Sequence, residues 1–277
     1  SEQAYISVLQ HHLRNRRLEA IATHATLSIS ELLDKASSIK AQAIFLCNPF
    51  TLANLVAGEK PTLDEYRGSV LRYDIPIVVG NSLIHTQTVD HGSWLLGRDL
   101  DKLIVSTQKK PVPFSYKVLL SHLDFVPALR VLEQSILTAI DIETITVGGT
   151  DKETLIENGK IVEEMPVAGE TLISCCTWSA LLPSGKIVSY VLPLIDFGVT
   201  HWETDYEYIQ AINFLRDANK TAAPKVMHNG MYDATHLICY HAEPTNWIID
   251  TMGLAHAEFV SLPKTLDFVA SLYIYDY

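Results

Sequence analysis

Short apolar runs separated by polar, Gly- or Pro-containing stretches recur along this chain, and their periods predict an α/β protein. In the first part, residues 43–47 and 75–79 are apolar runs of strand length, and 100–105 is a third apolar segment. Residues 29–37 and 50–57 have helical spacing, the second helix entered through Asn48-Pro49. Lys109-Lys110-Pro111-Val112-Pro113 predicts a linker, because prolines two apart favour extended chain over helix. A helical connector follows over 121–133, so the domains divide as 1–120, an α/β domain without catalysis, and 121–277.

The second part alternates more regularly. Strands are expected over 136–142, 171–180 and 187–192, the last two joined as a hairpin by Pro183-Ser184-Gly185-Lys186. Tyr208, Ile209, Ile212 and Leu215 give 203–217 a helical period. Residues 225–228 and 247–249 are further strands, each followed by a helix, over 231–240 and 251–259. Pro263 is expected in the first turn of a last helix reaching about 272. The polar stretch 146–170 is longer than a hairpin connection needs, as a lid or a mobile loop would be.

Composition narrows the class. The chain has 277 residues, 48% hydrophobic and 19% charged, a length that suits two domains. No uninterrupted apolar run nears the roughly 18 residues of a membrane span, so a soluble protein without a membrane partner is expected. Residues 1–17 lack the apolar stretch of a secretory signal. Four cysteines without C-x-x-C spacing point to a reduced, cytoplasmic setting and away from zinc. The net charge of -11 is concentrated: residues 136–277 hold 19 acidic against 7 basic residues. That balance argues against a general DNA-binding module but not against an enzyme gripping a strand end through metal ions. His11-His12-Leu13-Arg14-Asn15-Arg16-Arg17 is expected to be the solvated face of a helix.

One constellation carries chemistry. Asp141 and Glu143 flank Ile142 at a strand end, and a period of two puts both acids on one face. About ninety residues later, His228-Asn229-Gly230-Met231-Tyr232-Asp233 follows another apolar run and sets a third carboxylate on a helix's first turn. Either string alone is ordinarily bland, a solvated strand edge or a helix cap with a favourable first-turn acid. Together, three acids repel unless a cation holds them, and a pair of hard divalent ions is the usual solution. Asp250 is as well placed to cap a helix as to help the site and is read as structural, and Asp267 as facing solvent or capping locally.

Asp141-Ile142-Glu143-Thr144 resembles the first motif of the DnaQ-like, or DEDD, 3′-5′ exonucleases, whose fold is ribonuclease-H-like. Asn229-Gly230-Met231-Tyr232-Asp233 resembles the second, with one fewer residue before the aromatic. Ile249-Asp250-Thr251-Met252 and Leu266-Asp267-Phe268-Val269-Ala270 resemble segments of proofreading domains in bacteriophage-type family A DNA polymerases. The resemblance implies that Asp141, Glu143 and Asp233 are catalytic and bind two Mg²⁺ ions, for which Mn²⁺ can substitute. It implies that Thr144, Asn229 and Tyr232 meet the terminal nucleotide of a single-stranded DNA 3′ end or primer-template. The third motif, Tyr or His followed four residues later by Asp, is not matched in order. The expectation is therefore a fragment, with that motif and a polymerase domain lying C-terminal in the same polypeptide.

Residues 40–105 resemble the latter part of uracil-DNA glycosylase-like domains through Ala43-Ile44-Phe45-Leu46-Cys47-Asn48-Pro49, Tyr66-Arg67-Gly68-Ser69-Val70 and Arg98-Asp99-Leu100. Their catalytic strings are absent, and His85-Thr86-Gln87 stands where the family has His-Pro-Ser. The function expected is DNA proofreading. A stand-alone DEDD exonuclease acting on RNA and a vestigial scaffold remain the alternatives.

Overall fold

The computed structural model describes residues 10–16, 28–56, 61–81, 91–108, 114–147, 152–157, 160–166, 170–196 and 199–274. His85 and the expected linker at 109–113 lie outside them. The chain divides into two compact units, Ser1–Val112 with Ser261–Tyr277, and Pro113–Val260. The boundary thus precedes the expected 120/121, and residues 261–277 belong with the first unit.

In the first unit, β1 (Ile44–Leu46), β2 (Val70–Arg72) and β3 (Pro76–Val79) form a sheet ordered β1-β3-β2. β1 and β3 are parallel, whereas β2 runs antiparallel to β3. Helix α1 (Ile29–Ser38) starts at a capping box, Ser28 and Glu31 each satisfying the other's backbone N–H. In α2 (Pro49–Leu55) the Asn48 side chain accepts from the Phe50 and Thr51 N–H groups, and Pro49 opens the first turn. A single turn, α3 (Leu63–Tyr66), precedes β2. Leu32, Leu46, Leu52, Leu63, Ile77 and Val79 fill the core between sheet and helices. The apolar segment 100–105 falls inside α4 (Gly92–Gln108), where Leu96 and Leu100 share a buried face four residues apart.

Charge, not only apolar area, holds the last helix, Leu266–Tyr273, in this unit. Arg67 Nη1 pairs with Asp99 at 2.8 Å, both side chains almost fully buried. Arg67 also donates to Ser271 Oγ and lies over the Phe268 ring, 4.9 Å from its centroid. Arg98 donates to Leu272 O at 2.9 Å. Pro263 precedes this helix instead of opening it, because the chain becomes helical only after Thr265. The basic opening is also not simply solvated. Arg16 makes a bidentate pair with Asp101 at 2.7 and 3.1 Å and donates to Gly97 O, fixing it to α4.

The second unit is built on one mixed sheet. Its strands are β4 (Phe114–Val118), β5 (Leu137–Val147), β8 (Glu170–Leu181), β9 (Ile187–Pro193), β12 (Lys225–Met227) and β13 (Trp247–Asp250). The order is β13-β12-β5-β8-β9-β4. β5 runs antiparallel to β8 and β8 to β9, while β12 lies parallel to both β5 and β13. A strand, a hairpin, then two strands returning on the other side of the first is the ribonuclease-H-like order. β4, unforeseen, adds an edge parallel to β9. The predicted turn at 183–186 is present, with Gly185 at φ +80°, a conformation open to a residue without Cβ.

Helix α5 (Phe125–Glu133) precedes β5, α6 (Asp205–Asn219) follows β9, α7 (Gly230–Cys239) follows β12, and α8 (Thr251–Glu258) follows β13. Phe125, Trp178, Trp202, Phe214 and Leu215 form the centre of the core. Trp178 Nε1 donates to Asn219 Oδ1 at 2.8 Å, so its only polar atom is satisfied at zero exposure. Residues 146–170 are not a simple loop. β5 and β8 extend into them, and β6 (Lys152–Glu157) pairs with β7 (Lys160–Pro166) as a second antiparallel ribbon. Two small strands, β10 (Ile195–Asp196) and β11 (Val199–Thr200), pair before α6. Among the described residues, no helix is long and apolar enough to cross a membrane.

Candidate active site

β5 sits at the middle of the sheet, and its pleat sorts the first motif. Thr138, Ile140 and Ile142 point inward, while Ala139, Asp141 and Glu143 are exposed on the opposite face. The two acids therefore share one face, as their spacing requires. Beyond Glu143 the ladder to β8 slips. Glu143 pairs with Cys175 but Thr144 pairs with Ile173, leaving Ser174 as a bulge. Just past that bulge the Thr144 hydroxyl lies 2.8 Å from the Tyr232 hydroxyl.

The second motif arrives through a tight turn at the end of β12. Asn229 adopts φ 56°, ψ 39°, a left-handed conformation that Asn tolerates better than most residues, and α7 starts directly after it. Gly230 is required by space. A Cβ there would stand 2.6 Å from Met227 Cβ and 2.7 Å from the Trp247 ring. Three residues on, Asp233 is 4% exposed and accepts a hydrogen bond from the Ile142 backbone N–H at 2.9 Å. Tyr232 is 47% exposed, open to a ligand, with its ring edge-on to His236 at 4.7 Å between centroids.

The electrostatics are those of an acidic site short of positive charge. Burial pushes the Asp233 carboxyl up to about 6, and the charge of Asp141 pushes in the same direction. Asp141 is raised first by burial and then by Glu143, with His228 opposing. The Cys175 thiol, paired opposite Glu143, is raised by burial and by that carboxylate, so it is a poor nucleophile.

The structure thus brings Asp141, Glu143, Thr144, Tyr232 and Asp233 to the centre of the sheet, with Asn229 at the turn that starts α7. Among the described residues, no three His, Cys, Asp or Glu side chains converge into a ready-made ion cage. The donor chemistry still fits a hard divalent cation. Carboxylate oxygens are its preferred ligands, and such an ion keeps water and takes substrate phosphate to complete its shell.

Two sets of contacts were not foreseen. Asp250, which reads in sequence as a cap of α8, does accept from Met252 and Gly253 N–H. It also accepts from Asn229 and Gly230 N–H, at 3.1 and 2.9 Å. His228 Nδ1 lies 2.8 Å from Thr251 Oγ1, whose proton goes to Met227 O. Only the closeness of β12 and β13 reveals either contact, and no sequence period encodes it. Asp267 lies exposed in the first turn of the last helix, in the other unit.

No family model matches this chain, and no curated protein matches it. Among solved structures, a Trypanosoma brucei RNase D bound to GMP overlaps 52% of this chain and 36% of its own, at 15% identity and a TM-score of 0.33. The catalytic core of Trypanosoma brucei RRP6 overlaps 58% and 34%, at 14% identity and 0.34. The Aedes aegypti Nibbler EXO domain overlaps 57% and 68%, at 12% identity and 0.36. The chain therefore spans about a third of the first two. Likeness this partial carries no weight of its own; the strand order of the sheet and the residues at its centre do.

Proposed function

We propose that the Pro113–Val260 unit is a metal-dependent 3′-5′ exonuclease module that trims single-stranded nucleic-acid ends. The observation that carries this reading is the bond from Ile142 N–H to Asp233 Oδ1, which joins two acidic motifs 91 residues apart at the centre of a ribonuclease-H-like sheet. Asp141, Glu143 and Asp233 would hold the Mg²⁺ or Mn²⁺ ions. When bound, such ions supply a water ionised near neutral pH and a counter-charge for the leaving oxygen. The chain's own residues do the rest. Asn229 and Thr144 meet the terminal nucleotide, Tyr232 presents an exposed ring and hydroxyl beside them, and His236 backs that ring. A frayed end suits the site, because a base already unstacked costs little to admit.

DNA is the favoured substrate on the strength of the polymerase-like strings at 249–252 and 266–270. The polymerase context, and the kinship of residues 40–105 to glycosylases, rest on sequence strings alone. An RNA end is the second reading, since the acidic face itself does not select a sugar. The deciding experiment compares 5′-labelled DNA and RNA oligonucleotides in Mn²⁺ and Mg²⁺, wild type against Asp141→Ala. Nucleotide-by-nucleotide shortening from the 3′ end, lost in Asp141→Ala, supports the proposal. Faster trimming of RNA moves the substrate to the second reading. Equal, background-level signal in both proteins favours the scaffold reading.

A further inference from the structure

Asp250 makes more bonds than a helix cap requires. As N-cap of α8 it needs only the Met252 and Gly253 amides, which its Oδ1 accepts at 2.9 and 3.3 Å. The same oxygen accepts from Asn229 N–H, and Oδ2 accepts from Gly230 N–H, 20 residues away in sequence. One carboxylate therefore serves the starts of two helices, on the ends of two adjacent parallel strands. Four backbone bonds hold it ionised, well able to face the positive N-terminal end of α7.

The second helix lacks any cap of its own. Asn229 occupies the N-cap position of α7 but makes no side-chain cap bond, and its backbone is left-handed. A non-glycine residue persists in that conformation when its surroundings over-determine it. Here the determinants are the Asp250 carboxylate on the amides of 229 and 230, and the absence of room for any Cβ at 230. His228 adds a second tie between the same segments through Thr251.

What this grip sets is the position of Asp233. The first turn of α7 is fixed at one end by Asp250 and at the other by the Asp233 bond to Ile142 N–H. Any rotation at Asn229 carries Asp233 away from the strand that bears Asp141 and Glu143. We propose that Asp250 is a positioning residue of the site, orienting α7 so that Asp233 seats against β5 and the Asn229 side chain stays free for substrate. Its importance for catalysis rests on the exonuclease reading; its mechanical role does not.

The test separates the two jobs of Asp250. In Asp250→Ser the short hydroxyl still caps α8 but cannot reach Gly230. In Asp250→Asn one oxygen remains for the cap while an amide NH₂ opposes the Gly230 N–H. Backbone amide exchange at Gly230 and Ile142, with thermal melting, is read in the full chain without any metal, and oligonucleotide turnover is read separately. Melting close to wild type is expected, with Ile142 and Gly230 exchanging at least 10-fold faster. Turnover should show kcat lowered about 10- to 100-fold at unchanged KM, the signature of misplaced groups rather than lost binding. Unchanged Ile142 exchange in both variants overturns the positioning role, whatever the activity. Faster exchange in a protein that never cleaves retains the role and overturns only the nuclease reading.

Discussion

Asp233 seats its carboxylate on the backbone N–H of Ile142, 2.9 Å away, between the two acids that project from the other face of that residue. The N–H favours the charged carboxylate, but burial outweighs it. With its pKa raised from 3.8 to about 6 by burial and by Asp141, Asp233 binds its proton more tightly in the folded than in the unfolded chain. Stability contributed by this group is therefore present below pH 4 and falls as pH rises towards 6. Asp233→Asn keeps the acceptor for Ile142 and removes the charge. The variant should lose nuclease activity yet melt at or above wild type near pH 7 in EDTA. The difference in melting temperature should grow between pH 4 and 6 and then level. A difference that is flat across that window would falsify the charge argument.

Gly230→Ala probes the space at the start of α7. Its new Cβ would meet Met227 Cβ at 2.6 Å and the Trp247 ring at 2.7 Å, both closer than real Cβ contacts allow. Overpacking of this kind costs about 1–3 kcal/mol. Urea unfolding of the variant should show that loss, with weaker protection of the neighbouring Asn229 and Asp233 amides. Wild-type stability would mean that the β12–α7 turn is looser than its contacts indicate.

The parts of this site legible in the sequence were those fixed by local period. The alternation through Asp141, Ile142 and Glu143 set which face each side chain takes, and an apolar run followed by Asn-Gly set a strand-to-helix turn at 229–230. The ribonuclease-H-like fold was legible only through the resemblance that those motifs carry. Long-range contacts were not legible. Nothing local marks Asp250 as a partner of Gly230, because that bond depends on how β12 and β13 stack. The strand at 114–118 was missed because Lys117 and Ser115 interrupt its apolar character on an edge that faces solvent. The placement of the last helix was missed for a different reason: Arg67, itself ion-paired with Asp99, ties it through Ser271 and Phe268, long-range contacts that no local period encodes.

That ion pair gives a prediction for the first unit. Asp99 is the counter-ion of two buried cations, Arg67 at 4% and Lys102 at 1% exposure. Lys102 donates to Gly68 O at 2.7 Å, and burial already lowers its pKa to about 8. Asp99→Asn leaves both cations without charge compensation, at a cost of about 3–5 kcal/mol. Adding Lys102→Met removes one stranded charge and should recover part of the loss. The double variant being less stable than the single one, by equilibrium denaturation, would show that Lys102 is held by its backbone acceptor and not by Asp99.

Tyr232→Phe isolates one hydroxyl at the site. Its partner, Thr144 Oγ1, is 2.8 Å away and partly exposed, so water replaces the lost bond and stability should change by less than about 1 kcal/mol. The ring keeps its edge contact with His236, so a stacked terminal base retains its platform. If the hydroxyl pair grips the terminal nucleotide in both ground and transition states, KM for a single-stranded end rises several-fold while kcat holds. A fall in kcat at constant KM would instead place the Tyr232 hydroxyl among the groups that act only at the moment of cleavage. Thr144→Val, which removes the other half of the pair and keeps its shape, should reproduce the same split, and disagreement between the two variants would assign the contact to one hydroxyl alone.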